Sequence, residues 1–364
     1  VINIGTILAY LLVRKADRWG RRRVLTFTII GYTLSSFLSG LVSSAAGFAL
    51  CQLAARFFLV SEWAVTMVYA SEEYPAARRG MVIGVIQACS SFGAITCAGV
   101  VPLLLQTPLG WRSVYFVGAV PLVLIAIARR QLRETSRFTE QLKHKAAAAE
   151  ANTSPSQDFL RLPRSQYRGR MLLLALVWGL TYVCTNNAVL FWKEFALAER
   201  GFTDGQVGLS ISIAAVGAMP LVFFCGRLLD WVGRRFGALI IFLSASLGVL
   251  ASYSLHSQTA LTAALIVTVF GCSSVLPVLN TYTAELFPTE LRSDAFAWSN
   301  NLLGRVSYVL SPFLIGYSAT KIGWGHTLGA TTIGPLAAVL LIFSVFPETR
   351  GRELEDTSRV GTDP

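Results

Sequence analysis

ADRWGRRRVL at residues 16–25 and LLDWVGRRFG at residues 228–237 are two copies of one short charged turn, with Asp17 and Asp230 set 213 residues apart. The same offset joins EEYPAARRG (72–80) to ELFPTELR (285–292), so that Glu72 answers Glu285 and Arg79 answers Arg292. A third pair, Glu134-Thr135 and Glu348-Thr349, falls at an offset of 214. Three pairs in register mark an internal duplication, two similar halves each built of several elements.

Between these turns the chain is apolar. Of its 364 residues 54% are hydrophobic and only 14% charged, a composition for hydrocarbon rather than water. Charge-poor runs suited to ~30 Å of bilayer, roughly 20 residues each, recur along the whole sequence. They lie at about 1–13 (short), 24–43, 46–70, 81–106, 113–128, 171–192, 206–225, 237–256, 260–283, 295–318 and 326–346. The reading is an all-α integral membrane protein with eleven spans. Five runs precede the polar stretch at 129–168 and six follow it, which predicts a parent of twelve whose first helix is missing from this chain. The expected units are an N-terminal bundle at 1–128, a linker at 129–168, a C-terminal bundle at 169–349 and a tail at 350–364. The linker holds KHKAAAAE and NTSPSQDF, read either as a short amphipathic surface helix around 133–150 or as a disordered connection.

The basic residues set the orientation. Of 31, 25 fall in loops on one side, against Arg112, Lys193, Arg200 and Lys321 opposite. Such a bias places the charged turns and the C-terminus in the cytoplasm. The net charge of +11 is then a matter of topology, and no nucleic-acid partner is implied. The six cysteines all lie within spans with no ligand spacing, and His144, His256 and His326 are isolated, so no metal or cofactor is expected. The chain carries no HExxH, nucleophile elbow, P-loop or paired intramembrane carboxylates, which excludes the common membrane-enzyme chemistries.

Three charged side chains fall well inside spans, Arg56, Glu62 and Arg305. Each costs a few kcal/mol at mid-bilayer unless paired or hydrated, which makes each a functional candidate. Arg56 and Glu62 share a helix but stand about 240° apart around its axis. Glu62 therefore reads as a proton carrier or cation anchor, or else as one member of a structural ion pair with Arg305 or a group outside this chain. Arg56 and Arg305 each offer a planar fork to a carboxylate. Trp178, Tyr182 and Asn186 repeat at four-residue intervals on one helical face, with Asn187 adjacent. They suit a hydrated binding pocket, or equally interhelical hydrogen bonding and interfacial belts. Gln87, Asn280, Tyr282, Asn300 and Asn301 are candidates on the same ground. The small residues Gly84, Ala88, Ser91, Gly93, Ala94 and Gly99 predict a tightly packed helix, sliding or static.

The turns predict a gate. Asp17 with Gly20, Arg21 and Arg22, and Asp230 with Gly233, Arg234 and Arg235, combine an acid at a helix end, a glycine free to turn sharply and a paired arginine. Glu72, Arg79, Glu285 and Arg292 belong to the same assembly. These turns, with RETSRF (133–138) and PETRGREL (347–354) closing the halves, resemble the major facilitator superfamily over essentially the whole chain. ARFFLVSEWAV (55–65), SEEYPAARRG (71–80) and GWRSVYFVGAVP (110–121) are similar to metabolite:proton symporters, and PETRGREL is similar to sugar porters. Two departures stand out: Val13 sits where the family turn has glycine, and Phe57 to Val65 has none. The resemblance implies two pseudo-symmetric six-helix bundles rocking about a midplane site, without covalent chemistry. A monomer is expected, and the short loops place it in a bacterial inner membrane or a plasma membrane. The expected activity is proton-coupled uptake of a small polar metabolite, an organic anion or sugar-like. The alternatives are a proton-driven exporter of organic cations anchored at Glu62 and a non-transporting membrane sensor.

Overall fold

Glycine geometry explains why the charged turns turn. Gly20 and Gly233 have φ of +89° and +102°, a region that L side chains avoid, and a new helix starts at the next residue of each copy. The computed structural model describes residues 8–128, 134–135 and 161–352 together with Gly5 and Thr139. Among these the regular elements are all helical. In chain order they are α1 (Tyr10–Trp19), α2 (Arg21–Leu41), α3 (Ala45–Glu73), α4 (Ala76–Leu105) and α5 (Trp111–Ala128). After the linker come α6 (Arg168–Leu190), α7 (Trp192–Arg200), α8 (Asp204–Val232), α9 (Arg234–Ser254) and α10 (Gln258–Glu285). The last are α11 (Arg292–Ala295), a π-helical stretch (Phe296–Gly304), α12 (Arg305–Ile322), α13 (Trp324–Thr331) and α14 (Ile333–Val345). The linker helix expected around 133–150 lies, apart from Glu134, Thr135 and Thr139, outside the described residues, as do residues 353–364.

Eight stretches among the described residues are long and apolar enough to cross a membrane, and they coincide with eight of the apolar runs of the sequence. The runs at 81–106 and 295–318 are helical as well, in α4 and in the π-helical stretch leading into α12. Large apolar side chains such as Leu124, Phe224 and Phe313 stand outward, as they do when hydrocarbon is the solvent.

The two ends of the molecule start their helices differently. Away from the charged turns, hydroxyl caps do it locally: Ser44 accepts from the Gly47 amide, Ser257 from Ala260, and Thr203 and Gln206 form a capping box. At the charged end a carboxylate more than a hundred residues away in sequence does it. Glu134 accepts from the Arg21 and Arg22 amides at 3.0 and 3.2 Å, and Glu348 from Arg234 and Arg235 at 2.8 and 3.0 Å. These charges meet the positive end of the helix dipole and occupy its free N–H groups. One such clasp also stands at the opposite end, where Glu199 accepts from the Trp324 and Gly325 amides after Gly323, φ +82°.

Two of the interfaces between the halves hold equivalent places in the duplication. α1 packs on α11 and the π-helical stretch, with Val13 and Ala16 buried beside Ala297, and Tyr10 meeting Trp298 edge-on at 5.5 Å. α8 packs on α4 through glycine: a Cβ on Gly226 would lie 2.1 Å from the Gly80 carbonyl oxygen, and one on Gly84 would lie 2.7 Å from the Gly226 nitrogen.

Candidate functional site

The charged turns assemble into a crossed ionic lock. Glu72 takes Arg21 of its own half at 2.9 Å and Arg292 of the other at 3.1 Å, while its second oxygen accepts from Thr135 at 2.9 Å. Glu285 repeats the pattern with Arg234 at 3.2 Å, Arg79 at 3.1 Å and the Thr349 hydroxyl. The arginines are locked further by carbonyls: Arg79 Nε donates to Ser71 and Arg292 Nε to Ala284, at 3.0 and 2.8 Å. Arg21 Nη1 donates to Ala16 and Arg234 Nη1 to Leu229, both at 3.2 Å. All six ionic side chains are buried. Desolvation at that depth is offset only where geometry is good and further hydrogen bonds are made, and here carbonyls serve all four arginines while hydroxyls serve both glutamates.

Asp230 adds a third link. Its carboxylate accepts from the Gly80 and Met81 amides of the opposite half at 3.2 and 2.7 Å and pairs with Arg234 at 2.9 Å. The side chain of Asp17 lies outside the described residues. The backbone amides of Arg22 and Arg235 serve the glutamate clasps.

Beyond the lock lies a cavity of about 550 Å3 between the halves. α3 contributes Arg56 and Trp63, α4 Gln87, α6 Trp178, Tyr182 and Asn186, and α12 Arg305 and Tyr308. Arg305 lies over two tyrosine faces, 5.1 Å from the Tyr182 centroid and 4.9 Å from Tyr308. Trp178 stacks on Tyr182 at 5.3 Å and donates to Thr283, while the Tyr182 hydroxyl donates to Asn300 at 2.8 Å. The wall is thereby rigid before any ligand arrives. Neither Arg56 nor Arg305 forms an ion pair with a carboxylate among the described residues, unlike the four arginines of the lock.

The other candidates sort by position. Asn187, one residue from Asn186, turns away and donates to Ser311 at 2.8 Å, tying α6 to α12. Asn280, Tyr282 and Asn301 are fully buried off the described lining. Glu62 is half-buried on α3 and also stands off that lining; it and Arg56 both act electrostatically on Tyr32 of α2. Trp63, Thr185 and Tyr308 escaped the sequence reading, yet helical spacing marks them. Trp63 is seven residues after Arg56, Thr185 seven after Trp178 and Tyr308 three after Arg305, each pair on one face. Another repeat also escaped it: Gly110-Trp111 and Gly323-Trp324 stand 213 residues apart, and each glycine has positive φ.

Comparison with known proteins agrees with this architecture. The Major Facilitator Superfamily model matches residues 3–300 and again 174–362. A probable 4-methylmuconolactone transporter of Cupriavidus pinatubonensis is 26% identical over 350 residues, 94% of this chain and 78% of its own length. The sialic acid transporter NanX of Escherichia coli is 23% identical over 333 residues, 90% of this chain and 78% of its own. Among solved structures, the proton:xylose symporter XylE superposes with a TM-score of 0.82 at 16% identity, over 98% of this chain and 86% of that one. It shares the fold.

Proposed function

We propose, from the premise that this chain belongs to the Major Facilitator Superfamily of membrane transporters, that it takes up a small organic anion together with a proton by alternating access. The carrying observation is the charge of the central cavity. Among its described lining residues the charged ones are Arg56 and Arg305, one from each half, and neither forms an ion pair with a carboxylate among the described residues. A carboxylate held between them would bind both halves at once, which is what a rocking mechanism needs of its substrate. An exporter of organic cations would need an acid on that wall, and Glu62 stands off it.

In this reading the crossed lock is the gate on the cytoplasmic side, an orientation supported by the bias of basic residues. Opening it separates Arg292 from Glu72, Arg79 from Glu285 and Asp230 from the Gly80 and Met81 amides. The same reading takes the halves as 1–128 and 169–349, joined by the linker at 129–168, with eleven spans, a cytoplasmic tail from 350 and a monomeric unit in the cell membrane. Glu62 is the proton carrier: a half-buried carboxyl beside the Arg56 environment, where protonation changes the field felt by the bound anion. Relatives named for a lactone and for sialic acid support a small metabolite as cargo.

Uptake by proteoliposomes from a pooled set of labelled organic acids, sugars and amines under an imposed pH gradient tests this. The expected result is acid accumulation that a protonophore abolishes. Amine movement would overturn the anion reading. A Glu62→Gln variant that still concentrates the acid would remove the proton role from Glu62.

A further inference from the structure

Resting on the reading of the central cavity as the substrate site, we infer that the substrate is a carboxylate carried on a flat aromatic ring, rather than a polyhydroxylated or saturated acid. Two independent features of the wall converge on this.

The first is charge. The forks of Arg56 and Arg305 are unpaired among the described residues, and Arg305 Nε is buried there without a hydrogen-bond partner. Arg305 also lies against the rings of Tyr182 and Tyr308, and a guanidinium fork can receive a carboxylate bidentately.

The second is shape. Four of the rings lining the cavity are Trp63, Trp178, Tyr182 and Tyr308. Trp178 and Tyr182 are nearly parallel at 29°, and Tyr308 meets Tyr182 edge-on at 5.4 Å and 76°. Trp178 and Tyr182 are themselves almost fully buried, so a ligand ring meets the half-buried Trp63 and Tyr308, stacked or edge-on, the arrangements that aromatic pairs prefer. The remaining lining is mixed, with Leu59, Val60 and Leu276 among Gln87, Thr185 and Asn186. A polyol offers no ring face to the aromatic side chains. A volume of about 550 Å3 lies in the range of small-molecule sites and admits one ring or a fused pair.

Calorimetric titration of the purified, detergent-solubilised protein tests the inference with four probes: benzoate, cyclohexanecarboxylate, gluconate and benzylamine. Benzoate is expected to bind tighter than cyclohexanecarboxylate, of equal charge and similar size, by about threefold to tenfold, the worth of one aromatic contact. Gluconate, which has no ring to stack, is expected to bind more weakly than benzoate. Arg56→Gln and Arg305→Gln should each weaken benzoate by more than about tenfold, the scale of a charge-assisted hydrogen bond. Tyr308→Leu should bring the benzoate-to-cyclohexanecarboxylate ratio toward one while both acids still bind, and Tyr308→Phe should restore it. A general loss of folding would instead abolish both acids together. Equal binding of benzoate and cyclohexanecarboxylate by the unaltered protein would overturn the aromatic inference and leave the anion reading standing. Benzylamine binding ahead of both acids would overturn the anion reading itself.

Discussion

Two interfaces between the halves occupy equivalent places in the duplication, yet one is made of side chains and the other of backbone. Where α1 meets α11 and the π-helical stretch, Val13 and Ala16 are buried against Ala297, with an edge-on ring pair beside them. Where α8 meets α4, Gly226 lies directly on Gly80 and Gly84, and Asp230 reaches the amides that this closeness exposes to it. The ionic contacts around both are the same, arginine for arginine and carbonyl for carbonyl. Charge partners need particular atoms at particular distances, so both copies carry the same set. Helix separation can be set by any complementary pair of side-chain sizes, so the copies differ there.

The sharpest way to break this contrast is Gly226→Leu, whose Cβ alone would lie 2.1 Å from the Gly80 carbonyl oxygen. Uptake in proteoliposomes is expected to fall by more than about a hundredfold, because backbone cannot yield as a side-chain tip can. Val13→Ala, at the equivalent place, should remain active and cost about 1–3 kcal/mol of stability as a small buried void. Comparable tolerance of both changes would erase the distinction between the interfaces.

Glu72→Gln and Glu285→Gln probe what the halves share. Each leaves two buried arginines short of an anion, and a broken buried pair costs about 3–5 kcal/mol. Thermal unfolding in detergent should give the same loss for both variants, and a clear inequality would show that the crossed pairs are not equivalent. Asp230→Asn keeps an acceptor for only one of the Gly80 and Met81 amides, which use different oxygens, and gives up its charge against Arg234, an expected loss of about 1–3 kcal/mol. Glu134→Gln and Glu348→Gln remove the charge on a helix start and turn one of its two acceptor oxygens into a donor, worth about 0.5–2 kcal/mol. Hydrogen exchange should show the Arg21 and Arg22 amides opening in the first variant and Arg234 and Arg235 in the second, with the rest of the molecule unaffected.

Much of this was legible in the sequence. Apolar runs and the offset of 213 residues located the helices and their pairing into halves, because burial in hydrocarbon forces long charge-free stretches and duplication leaves register intact. Arg56 and Arg305 were conspicuous because charge within a span is costly. A repeat tells which residues are equivalent, however, and not with which copy a side chain pairs. The turns predict a gate without telling its pairing, and Arg79 and Arg292 carry the lock across to the opposite half. Asn186 keeps the four-residue spacing of Trp178 and Tyr182 while Asn187 lies one step of about 100° further round the helix, which puts the first in the cavity and the second on Ser311. Glu62 drew notice for its charge, but its facing depends on how α3 is rotated against α2, which the pattern of apolar residues on a helix buried on several sides does not fix.

The crossing of Glu72 with Arg292 and Glu285 with Arg79 is also the pattern that a symmetric pair of identical subunits would make, each protomer's acid taking its neighbour's base. The lock thus retains the form of a self-association contact now closed within one polypeptide. Two copies of the N-terminal half would set Val13 against Gly80 and Gly84, where a Cβ does not fit, as the contact of Gly226 with Gly80 shows. Loss of a methyl-sized space in one copy and its retention in the other therefore gives the two halves a handshake that accepts the unlike partner and refuses the like one. Halves produced as separate polypeptides should for that reason reassemble in a membrane as a mixed pair.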